Sequence, residues 1–520
     1  MAEADARAAT PQMKEASLTV SPTDSAIKVP AILVVLIAGL ILRLLLATFP
    51  TFGIDFGLFQ FWSNQMATRG PWDFYEGDFF IDYAPGYLYV LWVIGELNQI
   101  FTFTTAQYEY VLKLPSIAAD LASIYLLYRV LDKQRMELRV AAALAYALFP
   151  IALFIGPVWG QVDSLLGCLL LLSVYWIGRD RPVAGAVAFA LAFLVKPQAI
   201  AALPFLAFWI MKTYPPRWVP VEGGLPVLAG LPLFFVGAGV SIWRYLVDDQ
   251  GTNLSLALAA TGLGAGLIAI GYVTSRSRSA VPGGAAQRFP QYVPVPPSVW
   301  YMAFLAPALV LLLAITPFFV LKPWEFMDRL QASANVYPYA SFHAYNFWGI
   351  FRYNQPDNIQ YLGLSYQVWG IVLFAFTTLF IIYSLREAKG MGALALGTGL
   401  CVVAFFMFIT RMHERYLFSA FLPLLAACVV YNSAWLWTGF AGLAVTHALN
   451  LYQAYAEFND NHLRIHWILN WLQDPNMLGF NIFEVDTTVE WLSVLTVAAL
   501  PPLLAAAYGI GSRVRAGEAA

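Results

Sequence analysis

Long apolar segments dominate this sequence and restrict what it can fold into. Runs of roughly 17–22 apolar residues recur along most of the chain, and an α-helix of that length crosses the hydrocarbon core of a bilayer. Hydrophobic residues fill 60% of the 520 positions and charged residues only 12%, about half their share in soluble domains. We therefore predict an all-α polytopic membrane protein with about 12–14 transmembrane helices.

The positions of Lys and Arg predict the orientation of these helices. Basic residues gather in short loops such as 129–139, which we place in the cytoplasm. The segment 83–103 is apolar enough to suggest another crossing, but a crossing there would put the basic loop outside. We therefore predict an amphipathic helix that lies in the outer interface. With this choice, every polar motif considered below falls on the outer face.

The predicted organisation has four parts. The first part is a disordered cytoplasmic tail (1–29), and the second is a membrane module (30–213) with an outer loop (50–107). The third is a variable module (214–451) with an inner linker (275–297) and an outer loop (321–365). The last part (452–520) contains an outer loop, a final transmembrane helix and a cytoplasmic C-terminus.

Composition and motifs exclude several classes of function. The formal net charge of −2 indicates no nucleic-acid partner, and the three cysteines lie in apolar runs that are typical of core positions. The chain has no Walker loop, no dinucleotide-binding glycine motif at a strand–helix junction and no HExxH. The sequence indicates no cofactor and no metal ligands, and it leaves dependence on a divalent metal open.

The most informative polar cluster lies between two long apolar runs. Arg411, His413, Glu414 and Arg415 follow one another within five residues, and charge at such a depth is a functional hypothesis by default. Arginine binds phosphate with two parallel hydrogen bonds, and residues four apart share a face if the segment is helical. The alternative is an interface anchor in which Glu414 neutralises an arginine.

Other candidates stand just outside the predicted spans. Asp55 is either a general base or a solvated loop acid. Asp82 and Tyr83 precede a Pro-Gly turn and either line a polar wall or form a structural corner. The remaining candidates each have a functional and a structural interpretation. Gln161 and Asp163 either bind sugar hydroxyls or form a turn, and Lys196 either binds phosphate or reaches the headgroups. His343, Asn346 and Trp348 either bind a sugar or belong to an aromatic belt.

The order of these motifs resembles that of the GT-C superfamily of membrane glycosyltransferases. The resemblance covers about Asp55 to Tyr416, and it is closest to enzymes that use dolichyl-phosphate glucose and to bacterial mannosyltransferases. It implies that residues 30–213 form the catalytic module and that Asp55 is the base. It also implies that Lys196, His413 and Arg415 line the lipid-phosphate site. This chain departs from the eukaryotic pattern in having Tyr83-Ala84-Pro85, where those enzymes have Tyr-Pro-Pro, and in its Gln-x-Asp motif.

The resemblance implies a definite activity. The protein is expected to move a hexose, mannose or glucose, from a polyprenyl-phosphate donor to a hydroxyl on a glycan, lipid or protein acceptor, with inversion. The reaction is expected on the periplasmic side of a bacterial inner membrane. Two other functions remain open: a flippase or transporter for lipid-linked sugars, and an O-antigen-type ligase or polymerase. A flippase predicts inverted repeats, and none are visible in the sequence.

Overall fold

The computed structural model describes residues 30–72, 74–214, 297–319, 322–351, 354–459, 463–474 and 487–516. Helices account for nearly all of the regular structure in these ranges, and the only strands are a hairpin of two residues each, Gln360–Tyr361 and Leu364–Ser365. The prediction of an all-α membrane protein is confirmed at this level. The predicted tail 1–29 and most of the predicted inner linker 275–297 lie outside the described residues.

The helices are numbered in chain order. They are α1 (Ala31–Leu46), α2 (Gly53–Arg69), α3 (Pro85–Phe101), α4 (Thr105–Val130), α5 (Met136–Ala147), α6 (Pro150–Leu153), α7 (Asp163–Ile177), α8 (Pro182–Val195), α9 (Leu203–Thr213), α10 (Pro297–Phe319), α11 (Glu325–Ala334), α12 (Tyr366–Leu385), α13 (Gly390–Phe408), α14 (Phe421–Tyr431), α15 (Ala434–Phe458), α16 (His466–Leu472), α17 (Thr488–Ala498) and α18 (Leu500–Arg515).

Several of these helices are suited to a bilayer. Five are long and apolar enough to cross it: α4, α10, α12, α13 and the continuous pair α17–α18. A sixth span arises if α5 and the bent segment Pro150–Val158 are counted together. Four shorter apolar helices, α1, α7, α8 and α14, lie among them. The total of about 12–14 crossings stays a prediction.

Helix α13 lies at the centre of this bundle. Of its most apolar 18-residue window, 89% is buried inside the protein, whereas the corresponding share for α10 is 22%. Phe205 of α9 packs so closely on Gly397 of α13 that a β-carbon there would lie 1.9 Å from the ring. Helix α13 is therefore surrounded by protein, and residues 409–416 follow its C-terminal end on the side predicted to be the outer face.

The first outer segment contains two helices that pack against each other. Helices α2 and α3 meet at Gly95, where a β-carbon would lie 2.2 Å from the carbonyl oxygen of Ser63. The Ser63 hydroxyl donates to the Leu91 carbonyl at 2.8 Å and accepts from Tyr108 at 2.7 Å, which ties the pair to α4. Helix α3 is not among the candidate spans, so its interfacial position remains the prediction that its sequence supports.

Candidate functional site

Asp55 lies in the first turn of α2, where the helix dipole favours a carboxylate. Its Oδ2 atom accepts a hydrogen bond from Trp159 Nε1 at 2.8 Å and a second one from Gln161 Nε2. These donors come from a loop more than 100 positions away in the sequence. The carboxylate is therefore held in one orientation, as a general base requires, and it is only half-buried.

The loop that holds Asp55 follows an irregular helix end. A π-helical turn, Phe154–Val158, ends the helix, and Gly160 then takes a φ of +87° that favours glycine. The Phe52 amide donates to the Trp159 carbonyl at 3.2 Å, and the two rings stack at 4.8 Å between centroids. These contacts join the end of the π turn to the start of α2.

Gln161 connects Asp55 to a buried ion pair. Its amide nitrogen donates to Asp55, while its Oε1 accepts from Tyr83 at 3.1 Å and from Lys196 at 3.3 Å. Lys196 also contacts both oxygens of Asp163, at 2.9 and 3.0 Å. The Lys196 side chain is only 8% exposed, so it points into the protein and does not reach the headgroups.

Arg415 is the second cation of the site, after Lys196. One guanidinium nitrogen contacts Glu414 at 2.7 Å, but the buried Nε has no hydrogen-bond partner among the described residues. Burial acts to lower the pKa of Arg415, yet Asp55 and Glu414 together hold this pKa well above its usual value. Arg415 is therefore a permanent cation whose Nε–H has no acceptor among the described residues.

Two neighbouring groups have pKa values that are shifted by burial. Burial, aided by the positive charges of Arg415 and Lys196, places the pKa of His413 well below its usual range, so the imidazole is neutral at pH 7. Burial raises the pKa of Asp82 to about 6, although the nearby Arg415 opposes the shift. Asp82 Oδ1 is buried and unpaired within the described part of the chain. Such shifts in a cluster are typical of functional sites.

The structure thus brings together nine of the thirteen predicted site residues: Asp55, Asp82, Tyr83, Gln161, Asp163, Lys196, His413, Glu414 and Arg415. The others lie elsewhere. Arg411 is separated from Arg415 because residues 409–417 form extended chain and turns, so the two do not share a helix face. The Arg411 guanidinium instead pairs with Asp357 at 2.7 Å.

Asn346 and Trp348 lie in the covering loop, residues 335–365, in which the Tyr339 carbonyl accepts from the Arg411 amide and the Phe342 amide donates to the Met412 carbonyl. The Asn346 amide donates to the Phe406 carbonyl at 3.0 Å, and its oxygen accepts from the Trp348 and Gly349 amides at 3.1 Å. The Trp348 indole donates to the Phe408 carbonyl at 2.6 Å. Both side chains are buried, so neither offers its polar atoms to a sugar. His343 lies one aromatic ring away from His413, since the Phe342 ring contacts both imidazoles, and it lines a cavity of about 360 Å³ that also includes Glu457.

Several buried polar residues of the helices are absent from the candidates chosen on sequence, among them Arg43, Lys113, Ser116 and Asp120. Arg43 pairs with Asp120 at 2.9 Å, and Lys113 and Ser116 lie on the same helix as Asp120. Each interrupts an apolar run, and this signal was available in the sequence. Within the described ranges, no three side chains of the usual ligand types form a potential metal site.

No protein-family model matches the chain, and no curated protein matches it.

Proposed function

We propose that this protein is an inverting membrane glycosyltransferase. It would transfer a hexose, mannose or glucose, from a polyprenyl-phosphate donor to a hydroxyl acceptor on the outer, periplasmic face of a bacterial membrane. One observation carries the proposal: Asp55, oriented by Trp159 and Gln161, shares a buried cluster with the unpaired Nε of Arg415. A base and a cation in one site are what transfer from a phosphate leaving group requires.

The reaction would proceed as one displacement. Asp55 accepts the proton of the acceptor hydroxyl while the hydroxyl oxygen forms a bond to the anomeric carbon. The bond from that carbon to the phosphate oxygen breaks on the opposite face, and the electron pair leaves with the lipid phosphate. The transition state resembles an oxocarbenium ion, as in glycoside hydrolysis, and the anomeric configuration inverts.

The leaving phosphate would be stabilised mainly by Arg415. Its Nε is buried without a hydrogen-bond partner among the described residues, and it would donate to a phosphate oxygen once the bound donor displaces the atoms that cover it. The partly buried setting would strengthen that contact. His413 is neutral and can add a hydrogen bond without adding charge. Lys196 already pairs with Asp163. It would stabilise the site through these short contacts, and its hydrogen bond to Gln161 links its position to that of Asp55.

The charge balance favours a monophosphate donor over the diphosphate of an O-antigen-type ligase. All three of the predicted cations have carboxylate partners, since Asp357 pairs with Arg411, Asp163 with Lys196 and Glu414 with Arg415. Of the three, Arg415 has a buried side-chain nitrogen, Nε, without a hydrogen-bond partner among the described residues. A single guanidinium edge suits one phosphate group better than two.

The test is transfer by purified protein in lipid nanodiscs. Radiolabelled polyprenyl-phosphate mannose, polyprenyl-phosphate glucose and diphosphate-linked sugars are each supplied with extracted membrane acceptors. We expect transfer from one monophosphate donor, inverted product, and loss of transfer in Asp55→Asn with donor binding retained. Asp78→Asn, which changes an acid of the same outer segment that lies outside the cluster, is the matched control.

Two outcomes would contradict the proposal. Retained anomeric configuration would exclude the single displacement. Donor binding without transfer from any donor, together with movement of the lipid-linked sugar across a sealed vesicle, would assign the protein to the flippase class.

A further inference from the structure

One face of α4 carries a row of polar side chains through an otherwise apolar span. Glu109, Lys113, Ser116 and Asp120 are spaced by four, three and four residues, which places them on one side of the helix. Lys113, Ser116 and Asp120 are at most 1% exposed. Ionisable groups at such positions are costly and require partners, so the partners indicate what the row does.

Glu109 and Lys113, the two members nearer the N-terminus of α4, bind the turn that leads into α2. The Lys113 ammonium donates to the carbonyl oxygens of Ala47 at 3.0 Å and Phe49 at 2.5 Å, just after the C-terminal end of α1. A cation there satisfies carbonyls that the helix leaves unpaired. Glu109 accepts a hydrogen bond from the Thr51 amide. Asp55 follows four residues later, so its position depends on this turn.

Ser116 and Asp120, the two members nearer the C-terminus of α4, contact the loop that carries Gln161 and the helices α1 and α5. The Ser116 hydroxyl donates to the Gln161 carbonyl at 2.5 Å, in the loop that orients Asp55. Asp120 pairs with Arg43 of α1 at 2.9 Å and accepts from the Tyr146 hydroxyl of α5 at 3.0 Å. The row therefore contacts both segments whose relative position fixes the Asp55 carboxylate.

We propose that the polar face of α4 positions Asp55 against Trp159 and Gln161, and that Lys113 is its main positioning residue. The inference rests on the proposed function, in which Asp55 is the base. Without Lys113, the buried carbonyl of Ala47 and the half-buried carbonyl of Phe49 lose this donor, and we expect the turn 47–51 to move. A displacement of about 1 Å in a reacting group can cost on the order of 100-fold in rate.

The chain offers a matched control for Lys113. Lys212 also donates to carbonyls at the end of a membrane helix, those of Leu385 and Ala388 after α12, but it lies near the basic residues of the predicted inner side. Lys113→Met and Lys212→Met therefore remove the same kind of interaction at opposite ends of the bundle. Lys113→Arg keeps the donor and serves as the conservative variant.

The first measurement needs no substrate. Spin labels are attached through Ile54→Cys and Trp467→Cys, two positions that are 56% and 73% exposed, while the three native cysteines are buried. We expect the label–label distance to shift or broaden in Lys113→Met and to stay unchanged in Lys212→Met and Lys113→Arg. An unchanged distance in Lys113→Met overturns the positioning role. If this variant does not fold, Glu109→Ala provides the same test at a half-buried residue.

The second measurement separates positioning from binding. We expect Lys113→Met to lower kcat about tenfold or more while KM for the lipid donor stays within about twofold. Lys212→Met is expected to leave both unchanged. An equal loss of kcat in the two variants would show a general effect on folding and overturn the proposal. A shifted distance combined with no transfer from any donor would leave the positioning intact and reject the proposed function.

Discussion

Gly160 lies directly against Thr51. A β-carbon built on Gly160 would lie 2.5 Å from the Thr51 methyl carbon, and the Gly160 φ of +87° already disfavours any side chain. The contact joins the loop that carries Trp159 and Gln161 to the turn that precedes Asp55. Because Gly160 has no side chain, the loop that orients Asp55 can contact the turn that leads into α2.

Gly160→Ala is expected to separate these segments and to lower kcat at least about tenfold, because the methyl group forces Thr51 away from the loop. Gly363→Ala is the matched control, since Gly363 has a φ of +81° and a β-carbon added there would meet nothing within 4 Å. It measures the cost of the backbone conformation alone, about 1 kcal/mol. Equal kinetics in the two variants would contradict the role of the contact. The measurement is steady-state transfer alongside the thermal midpoint.

Trp159→Phe tests the hydrogen bond to Asp55 while it keeps an aromatic ring against Phe52. Loss of the indole N–H leaves the carboxylate with the Gln161 donor, so we expect kcat to fall about tenfold with donor affinity unchanged. Trp369→Phe removes an indole N–H that donates to the Tyr361 carbonyl outside the site and should leave kcat unchanged. A fall in donor affinity with constant kcat would place Trp159 in donor binding instead.

Arg411 and Arg415 are expected to respond differently to the same substitution. Arg415→Gln should weaken binding of polyprenyl phosphate more than about tenfold, because the free N–H and the charge are both lost. Arg411→Gln should leave donor affinity unchanged and lower the free energy of unfolding by about 1–3 kcal/mol, because the buried Asp357 loses its cation. Binding titrations and unfolding curves on both variants make the comparison. A similar loss of affinity in Arg411→Gln would bring that residue into the donor site.

Asp82 predicts a pH dependence of stability. Its pKa in the folded protein is about 6, raised by burial from a usual value near 4, so the folded state binds the proton more tightly than the unfolded state. The free energy of unfolding should therefore fall as the pH rises from about 4 to about 6, by up to about 3 kcal/mol, and then level off.

The check is unfolding at a series of pH values for Asp82→Asn. This variant cannot ionise, so it should match the natural protein near pH 4 and exceed it in stability above pH 6. Asp78→Asn changes an acid four residues away and should follow the natural protein throughout. Parallel curves for Asp82→Asn and the natural protein would show that Asp82 does not carry this dependence.

Much of the candidate site could be selected from the sequence because its residues interrupt apolar runs. Lys196 and Arg415 were selected in this way, and Asp55 was selected because it follows the first predicted span. Each of the three lies at or near a helix end. Arg411 was selected by the same reasoning, yet it lies outside the cluster. The difference arises from Asp357, which is 54 positions away and comes close only through the fold of the covering loop. The row on α4 was missed, although Lys113 and Asp120 also interrupt an apolar run and the same reasoning could have selected them.

The sequence by itself determined that this chain forms apolar helices and that its polar groups gather at their ends. This follows from local chemistry, since a helix satisfies its own backbone in an apolar medium. Only the tertiary structure decided which carboxylate pairs with each cation. Asp163 pairs with Lys196, Asp357 with Arg411 and Glu414 with Arg415, and the Arg415 Nε is left buried without a hydrogen-bond partner among the described residues. Such pairings depend on the distances between loops, and the packing of helices far apart in the sequence sets those distances.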